Sequence, residues 1–321
     1  MSSHGQPSCD LAQCKAKRAG TDMLEEERIA IDAELNPPFV VRAPRVQTSP
    51  FVFCSPHSGD VYPKAFVNAS QLDPAALRKS EDCYVDELFA ATVEHGAPLI
   101  HARFPRAYLD LNREPYELDP ELFAEPLPEF SNSQTMRVVG GLGTIARIVS
   151  DSDEIYSGTI PLAVALQRIE RLYKPFHAAL GQLIENTREL FGYAVLVDCH
   201  SMPSTSSSYP AAIRPEFVIG DRFGTSCDVR MTRAMRTILV KLGHQVQLNR
   251  PYAGGFITEH YGQPKDDVHA LQIEINRGLY LDEASLQKSR NFEQFQSQMS
   301  EVIARTTQLI PGILDSRAAA E

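Results

Sequence analysis

Four apolar runs in the sequence end in polar side chains of the kinds that bind metal ions or catalyse hydrolysis. The runs read FVFCSPH, AYLDLNRE, YAVLVDCHS and ALQIEINRG. A chain that needed only a turn at these points would more often use Gly, Asn or Pro. The polar residues, taken with an arginine just upstream of the second run, are His57, Arg106, Asp110, Asn112, Arg113, Asp198, His200, Glu274 and Arg277.

This set of side chains matches the needs of zinc-dependent hydrolysis. A catalytic zinc typically takes two histidines and one carboxylate and keeps a position for water. A glutamate outside the metal shell removes the proton of that water. Arginines hold a substrate carboxylate and polarise the scissile carbonyl. Because ligands of open α/β sheets bind beyond the carboxyl ends of the strands, we expect a zinc hydrolase site at that edge.

Each of these residues also has a structural interpretation. A single histidine at a strand end is usually a hydrogen-bonded structural residue, but two of them, each beside an acid, favour a metal site. Glu274 has the alternative role of an ion-pair partner of Arg277, since an acid among Leu and Ile is costly unless it is paired or used. Arg113 has Glu114 and Glu117 as alternative partners on the surface.

The elements that must position these residues alternate along the chain between short apolar runs and helix-length periodic stretches. This alternation predicts an α/β fold with a mixed, mostly parallel sheet between helices. Strands are predicted at 51–57, 97–104, 107–112, 193–200, 217–221 and 270–276. Helices are predicted at 80–96 with Ser80 as N-cap, at 161–192 with a kink at Pro175, at 227–243 and at 293–310.

Length and composition set the domain organisation. The 321 residues, 43% of them hydrophobic, are enough for one large domain. Residues 1–45 are polar and end in NPPFVVRAP, so we predict a loosely ordered N-terminal arm there and a single catalytic α/β domain over 46–321. Residues 114–158 carry Pro and Gly without clear periodicity, which is typical of a functional or mobile segment.

Charge and cysteine content narrow the class of partner. The net charge of −10 argues against nucleic-acid binding, which needs a basic face. No run reaches the roughly 18 apolar residues that span a membrane. The six cysteines form no CxxC pair, which indicates a reducing compartment. We therefore expect a cytoplasmic enzyme with a small-molecule substrate.

Eight sequence segments follow one another between about residues 51 and 283 in the order of a known family. They read SPHSGDVYP, SEDCYVDELF, RAYLDLNRE, YKPFHAAL, VDCHSMPS, GDRFGTSCD, GGFITEHYG and HALQIEINRGLYLDE. In these segments the chain resembles the N-formylglutamate amidohydrolase family, which is similar in fold to the zinc carboxypeptidases and to aspartoacylase. LDLNR and DCHS also resemble the matching stretches of the carboxypeptidases.

The resemblance implies one Zn²⁺ per chain with His57 and His200 as ligands. The third ligand is one of two aspartates. Carboxypeptidases place an acid three residues after the first histidine, here Asp60, whereas the amidohydrolase family repeats an Asp that opens the next helix, here Asp82, which we prefer. Both also have structural roles open to them, Asp60 as a turn cap and Asp82 at a helix N-terminus.

The resemblance also implies roles around the metal. Glu274 would be the general base and Arg106 the polariser of the carbonyl. The implied substrate-binding residues are Asn112 and Arg113 as a carboxylate clamp, with Arg250, Tyr252 and Arg277.

Three positions depart from the pattern of the formylglutamate enzymes. Pro203, Pro251 and Glu259 stand where those enzymes carry arginines, and Arg250 lies one residue from the second. Because N-formylglutamate has two carboxylates, the chemistry is expected to be retained while the identity of the substrate stays open.

The resulting hypothesis is a zinc-dependent amidohydrolase that cleaves the amide bond of an N-acyl amino acid, such as N-formylglutamate, with a metal-activated water and Glu274 as base. The alternatives are a carboxypeptidase-like zinc peptidase on short or cell-wall peptides and a non-catalytic binding protein of the same fold. Glu274 argues against the last of these, and a closed pocket would argue against the peptidase.

Overall fold

A computed structural model of the protein describes residues 11–149, 153–205 and 215–309, except the side chains of 11–19 and 309. Seven strands form the central sheet: β1 (Phe39–Arg42), β2 (Phe51–Ser55), β3 (Leu99–Ala102), β4 (Ala194–Met202), β5 (Phe217–Gly220), β6 (Val246–Leu248) and β7 (Val268–Asn276). Their order is β1-β3-β2-β4-β7-β5-β6. The β3-β2-β4-β7 block and the β5-β6 pair are parallel, and β1-β3 and β7-β5 are antiparallel. The predicted mixed, mostly parallel sheet is confirmed.

Helices cover both faces of this sheet. They are α1 (Leu11–Glu34), α2 (Lys64–Ala69), α3 (Pro74–Arg78), α4 (Val85–Leu88), α5 (Met136–Val139), α6 (Leu162–Arg168), α7 (Lys174–Phe191), α8 (Val229–Lys241), α9 (Phe256–Tyr261) and α10 (Phe292–Leu309). A small ribbon of β8 (Leu281–Asp282) and β9 (Gln287–Lys288) precedes α10. Two apolar clusters result, one on each side of the sheet.

The long helical stretch around Pro175 deviates from regular α-helix where the sequence predicts a kink. A π-helical turn at Ile169–Tyr173 joins α6 to α7, and Pro175 lies in the first turn of α7. Proline has no N–H to donate to the carbonyl four residues earlier, so the backbone at this point cannot keep the regular α-helical bonding.

Two predicted elements are wrong in detail. Residues 107–112 form turns rather than a strand, because the Asp110 carboxylate accepts a hydrogen bond from the Asn112 N–H at 2.8 Å and closes a local turn. The helix predicted from Ser80 begins only at Val85, after Tyr84 in the left-handed region at φ 61°. The Asp82 N–H instead donates to the carbonyl of His57 at 3.0 Å. Both segments leave regular structure in order to place an aspartate.

The polar residues of the site on β4 and β7 share one face and lie near the carboxyl ends of these strands. Along β4 that face begins with Ala194 and Leu196 and continues with Asp198 and His200. The opposite face is apolar from Val195 to Cys199, which are buried in the other cluster, and becomes polar only at Ser201. Since successive side chains of a strand point to opposite faces, Asp198, His200 and Glu274 lie on the same side of the sheet.

No helix in the described part of the chain has both the length and the apolarity to cross a membrane. The cysteines at 54, 83, 199 and 227 are buried and free.

The described part of the predicted N-terminal arm contains α1 and β1, and one buried ion pair connects α1 to α6. Glu27 and Arg168 are each 2% exposed, with Nε–Oε1 and Nη2–Oε2 distances of 2.7 and 3.0 Å. The Arg168 guanidinium also lies 3.9 Å from the centre of the Tyr108 ring and donates to the Tyr108 carbonyl. Removal of either charge would leave the other buried without compensation.

We therefore expect Glu27→Gln to lower the free energy of unfolding by about 3–5 kcal/mol, the usual effect of breaking a buried pair on one side. Chemical denaturation measures this change. The matched control is Glu25→Gln in the same helix, whose side chain is 55% exposed and pairs with Arg28 on the surface. Equal, small effects of the two substitutions would show that α1 contributes little to the stability of the domain.

Candidate active site

Three buried side chains come together as a candidate metal-binding group. His57 follows β2, Asp82 precedes α4 and His200 lies near the end of β4, and one potential ligand atom of each lies within 4.8 Å of the others. Because β2 and β4 are adjacent and parallel, their carboxyl ends place the two imidazole rings side by side, with centroids 4.9 Å apart. All three side chains are at most 3% exposed.

The donor atoms of this group converge on one point. Asp82 Oδ2 lies 2.9 Å from His200 Nδ1 and 3.5 Å from His57 Nδ1. His57 Nδ1 is buried and has no hydrogen-bond partner among the described residues. A buried ring nitrogen without a partner, directed at a carboxylate and a second imidazole, fits a metal ion. Two imidazole nitrogens and one carboxylate oxygen are the donor set of many catalytic zinc sites.

Buried carboxylates hold the far side of both imidazoles. His57 Nε2 lies 2.8 Å from Asp110 Oδ1, and His200 Nε2 lies 2.9 Å from Asp198 Oδ1. A carboxylate at Nε2 keeps the proton on that nitrogen and leaves the lone pair on Nδ1, which is the arrangement that metal-binding histidines commonly show. His57 is thus set to bind through Nδ1, whereas His200 Nε2 also lies 3.1 Å from the Asn112 amide nitrogen and His200 Nδ1 is directed at Asp82 Oδ2.

Asp82 is held as an anion. Burial by itself would raise the pKa of Asp82, but the neighbouring imidazoles of His200 and His57 outweigh burial and hold the pKa well below its usual value. Its second oxygen, Oδ1, accepts from the Ser201 hydroxyl at 2.9 Å and lies 3.2 Å from Arg277 Nη2. Arg277 therefore contacts Asp82 and Ser201.

Glu274 lies on β7 directly beside His200 on β4 in the parallel register. Its side chain is buried, and Oε1 accepts a hydrogen bond from Gln272 Nε2 at 2.7 Å. Burial, strengthened by the charges of Asp82 and Asp198 and opposed by His200 and Arg106, raises the pKa of Glu274 to about 7. Within the described chain Glu274 forms no ion pair with Arg277, which is the structural alternative that the sequence left open.

Two cavities open at the metal-binding group. The larger cavity has a volume of about 330 Å³ and the smaller cavity about 110 Å³. Both are lined by Arg106, His200, Tyr252 and Glu274, so these four residues form the junction at which the cavities meet. Arg106 Nε donates to Asp110 Oδ2 at 2.9 Å, which fixes its guanidinium at this junction.

The smaller cavity carries positive charge. Arg113 is 5% exposed, and its Nη1 and Nε donate to the carbonyls of Asn112 and Leu142. Its Nη2 is buried without a hydrogen-bond partner in the described chain, and it lies 3.6 Å from Asp110 Oδ2, within ion-pair distance. Burial, together with the charges of Arg106 and Arg137, lowers the pKa of Arg113 to about 10, so the group stays cationic at neutral pH.

Arg137 is the residue of this cavity that sequence reasoning missed. It lies on α5, is exposed, lines the smaller cavity and forms no ion pair with any acid in the described ranges. The only signal in the sequence was its position in the irregular stretch 114–158. The roles of Asp110 and Asp198 at the histidines were also not assigned, although Asp198 shares a strand face with His200 at a spacing of two.

Two residues named from the sequence lie away from the metal-binding group. Asp60 is exposed and lines a separate cavity with Asp86 and His101. Arg250 is exposed and is not among the lining residues of the larger or the smaller cavity, although Tyr252 lines both.

Comparison with known proteins gives the site a family context. Residues 49–281 match the model of the N-formylglutamate amidohydrolase family. The chain belongs to this family. The matched range contains His57, Asp82, His200 and Glu274, and the resemblance inferred from the sequence motifs is confirmed.

Individual members of the N-formylglutamate amidohydrolase family agree with this match. The chain is 28% identical over 237 residues to the N-formylglutamate deformylase of Pseudomonas aeruginosa, covering 73% of this chain and 83% of that protein. For the Pseudomonas putida enzyme of the same name, the identity is 27% and the coverage is 73% and 82%. The crystal structure of an N-formylglutamate amidohydrolase from Ralstonia eutropha superposes with a TM-score of 0.79 at 32% identity, over 84% of this chain and 97% of that one.

The geometry predicts which substitutions remove the metal. We expect purified protein to bind one zinc ion per chain and His200→Ala and Asp82→Asn to lose it, because each removes one of three converging donors. Asp60→Asn is the control and should keep zinc, since Asp60 is exposed outside the group. Elemental analysis after dialysis measures the content. Loss of zinc from Asp60→Asn with retention in Asp82→Asn would overturn the assignment.

Proposed function

We propose that this protein is a zinc-dependent amidohydrolase that cleaves the amide bond of an N-acyl amino acid with a free carboxylate. The observation that carries the proposal is the His57, Asp82 and His200 group with the buried Glu274 beside it. The deformylase names of the relatives support N-formylglutamate as a substrate to test first. A non-catalytic binding protein would have no need of a buried carboxylate in this position.

The residues present fit a zinc ion, which His57, Asp82 and His200 would hold. When bound there, zinc supplies Lewis-acid activation of water and of the amide carbonyl. The contribution of the chain itself comes from Glu274, Arg106 and the arginines of the smaller cavity.

Glu274 is placed to move the proton. In the proposed reaction it accepts a proton from the attacking water as the new C–O bond forms at the amide carbonyl. It then returns that proton to the amide nitrogen as the C–N bond breaks, so that a carboxylate and a free amino acid leave. A group that accepts and donates in one cycle works best with a pKa near the working pH.

Arg106 is placed to stabilise the developing negative charge on the carbonyl oxygen. A guanidinium has five N–H donors, of which Nε is used by Asp110. The remaining donors are available at the junction of the two cavities. A hydrogen-bond donor that is already fixed in position lowers the activation barrier, because the protein need not reorganise as negative charge develops on the carbonyl oxygen.

Arg113 and Arg137 together suit a dianionic amino acid such as glutamate. The buried Nη2 of Arg113 makes no hydrogen bond in the described chain beyond its 3.6 Å ion-pair contact with Asp110, so it can give one carboxylate a charge-assisted hydrogen bond away from water. Arg137 supplies a second cation at the same cavity. Arg137 therefore offers a substitute for arginines that the sequence motifs lack at Pro203, Pro251 and Glu259.

Glu274→Gln tests the assignment of the base. The amide is nearly isosteric and cannot accept a proton, so we expect kcat to fall by about 10²–10⁴ with the zinc content unchanged. Glu259→Gln is the control for loss of a glutamate charge, since Glu259 is 61% exposed and pairs with Arg222. Loss of zinc together with activity in Glu274→Gln would make Glu274 a metal ligand and contradict its role as base.

Arg113→Met tests the carboxylate site. A hydrogen bond to a charged group contributes about 1.5–3 kcal/mol, so kcat/KM for N-formylglutamate should fall roughly 10- to 150-fold. When the α-carboxylate of this substrate is amidated, kcat/KM of the unmodified enzyme should be low. The Arg113→Met variant should then give the same low kcat/KM, because the group that Arg113 binds is absent. If the unmodified enzyme hydrolyses both substrates equally well, Arg113 does not bind the carboxylate. Dipeptides in the same assay test the peptidase alternative.

A further inference from the structure

The larger cavity has an apolar wall that the proposed chemistry does not use. Leu142, Ala146, Ile148 and Val149 line it from one segment, and Ala107 and Pro203 add apolar surface. Ala146 and Val149 are buried in the protein, whereas Leu142 and Ile148 are half-buried. The side chains of this wall therefore pack against the apolar core and also line the cavity.

The charged residues of the larger cavity are already paired within the protein. Arg277 binds Asp82 and Ser201, and Arg106 pairs with Asp110. Lys79 Nζ lies 3.5 Å from Asp153. By contrast, the smaller cavity contains the exposed Arg137, which has no ion pair in the described part of the chain, and Arg113, whose Nη2 makes no hydrogen bond there and lies 3.6 Å from Asp110 Oδ2. A charged group of a substrate thus finds its partners in the smaller cavity, and an apolar group finds contact in the larger one.

The connection of the two cavities sets the direction of the substrate. With the amino-acid carboxylate at Arg113 in the smaller cavity, the amide carbonyl lies at the junction beside Arg106 and Glu274. An amide continues beyond its carbonyl only through the acyl group. The acyl group therefore enters the larger cavity.

A formyl group, which has one carbon, leaves this cavity almost unused. Its volume of about 330 Å³ is on the scale of sites that hold whole small molecules. A formyl hydrogen adds nothing to apolar contact with this wall. Each methylene that is buried against the wall contributes favourably to the free energy of binding.

We infer that the preferred substrates carry an apolar acyl group larger than formyl on an acidic amino acid. This inference rests on the proposed hydrolysis of N-acyl amino acids and names the acyl class. The larger cavity is then the acyl-binding site, with Ala146 and Ile148 as residues that determine the accepted length.

A series of N-acyl glutamates tests the inference on the zinc-loaded enzyme. The series runs from formyl through acetyl and butyryl to hexanoyl, with the amino acid unchanged. We expect kcat/KM to rise about fourfold for each methylene that the cavity buries, which corresponds to the usual transfer free energy of that group. N-formylglutamate as the best substrate, with a decrease at each added carbon, would overturn the inference and leave the proposed hydrolysis standing.

Variants of the wall connect the preference to this cavity. Ala146→Phe fills it, so the ratio of kcat/KM for hexanoyl to formyl substrate should fall at least tenfold. Ile148→Ala enlarges it and should shift the best chain length upward, which keeps the test open if Ala146→Phe fails to fold. Val139→Phe is the control, since Val139 is 67% exposed on α5 and lines neither cavity. A chain-length preference unchanged in Ala146→Phe or Ile148→Ala would contradict the assignment.

Two further outcomes separate the proposals. If kcat/KM depends on an apolar amino-acid side chain instead, with N-formylleucine preferred to all N-acyl glutamates, the larger cavity binds the side chain and the acyl assignment is wrong. If no N-acyl amino acid is hydrolysed by protein that contains zinc, the proposed function fails and the acyl assignment fails with it.

Discussion

The site depends on the contact between each histidine and a buried carboxylate at its Nε2. Asp110 and Asp198 occupy these positions, at 2.8 Å from His57 and 2.9 Å from His200. With the proton held on Nε2 of His57, its Nδ1, which has no hydrogen-bond partner in the described part of the chain, is left for a metal ion, and His200 Nδ1 lies 2.9 Å from Asp82 Oδ2. The parallel pairing of β2 with β4 brings the two rings to one edge, and the two carboxylates hold the far side of each ring. Burying two acids is costly unless they are paired, so the fold places them where the imidazoles are.

Asn112 connects this contact to the rest of the domain. Its amide nitrogen donates to Asp198 Oδ2 at 3.0 Å, and its oxygen accepts from the Ile257 N–H at 2.7 Å. A Cβ on Gly255 would lie 2.6 Å from the Asn112 amide, so only glycine lets the 251–255 segment approach so closely. The Gly255 N–H in turn donates to Gln272, the residue that also contacts Glu274. One amide side chain therefore fixes the Asp198 carboxylate beside His200 and the loop that lines the smaller cavity.

The sequence predicts the sheet and most of the site because both follow from strong local patterns. The strands β2, β4 and β7 are mostly apolar. An acid or a histidine at the end of such a strand is costly to bury, so its presence indicates a function. The same logic is wrong for residues 107–112, where alternating apolar residues suggest a strand but Asp110 is held in a turn. Arg137 carries no periodic signal, so only the folded chain brings it to the cavity. Spacing alone also left the choice between Asp60 and Asp82 open, since it depends on the direction in which each side chain points.

Chemistry and specificity come from different parts of this chain. The metal-binding group and Glu274 are supplied by the sheet and the segments next to it, where each residue is constrained by register and burial. The apolar wall and Arg137 both come from residues 136–149, a stretch with one short helix and otherwise irregular backbone. Irregular connecting segments of this kind vary more among related proteins than the strands and helices that they connect. A family can therefore keep amide hydrolysis while one segment alters the acyl group that reaches it, so a match to the family supports the reaction more strongly than the substrate.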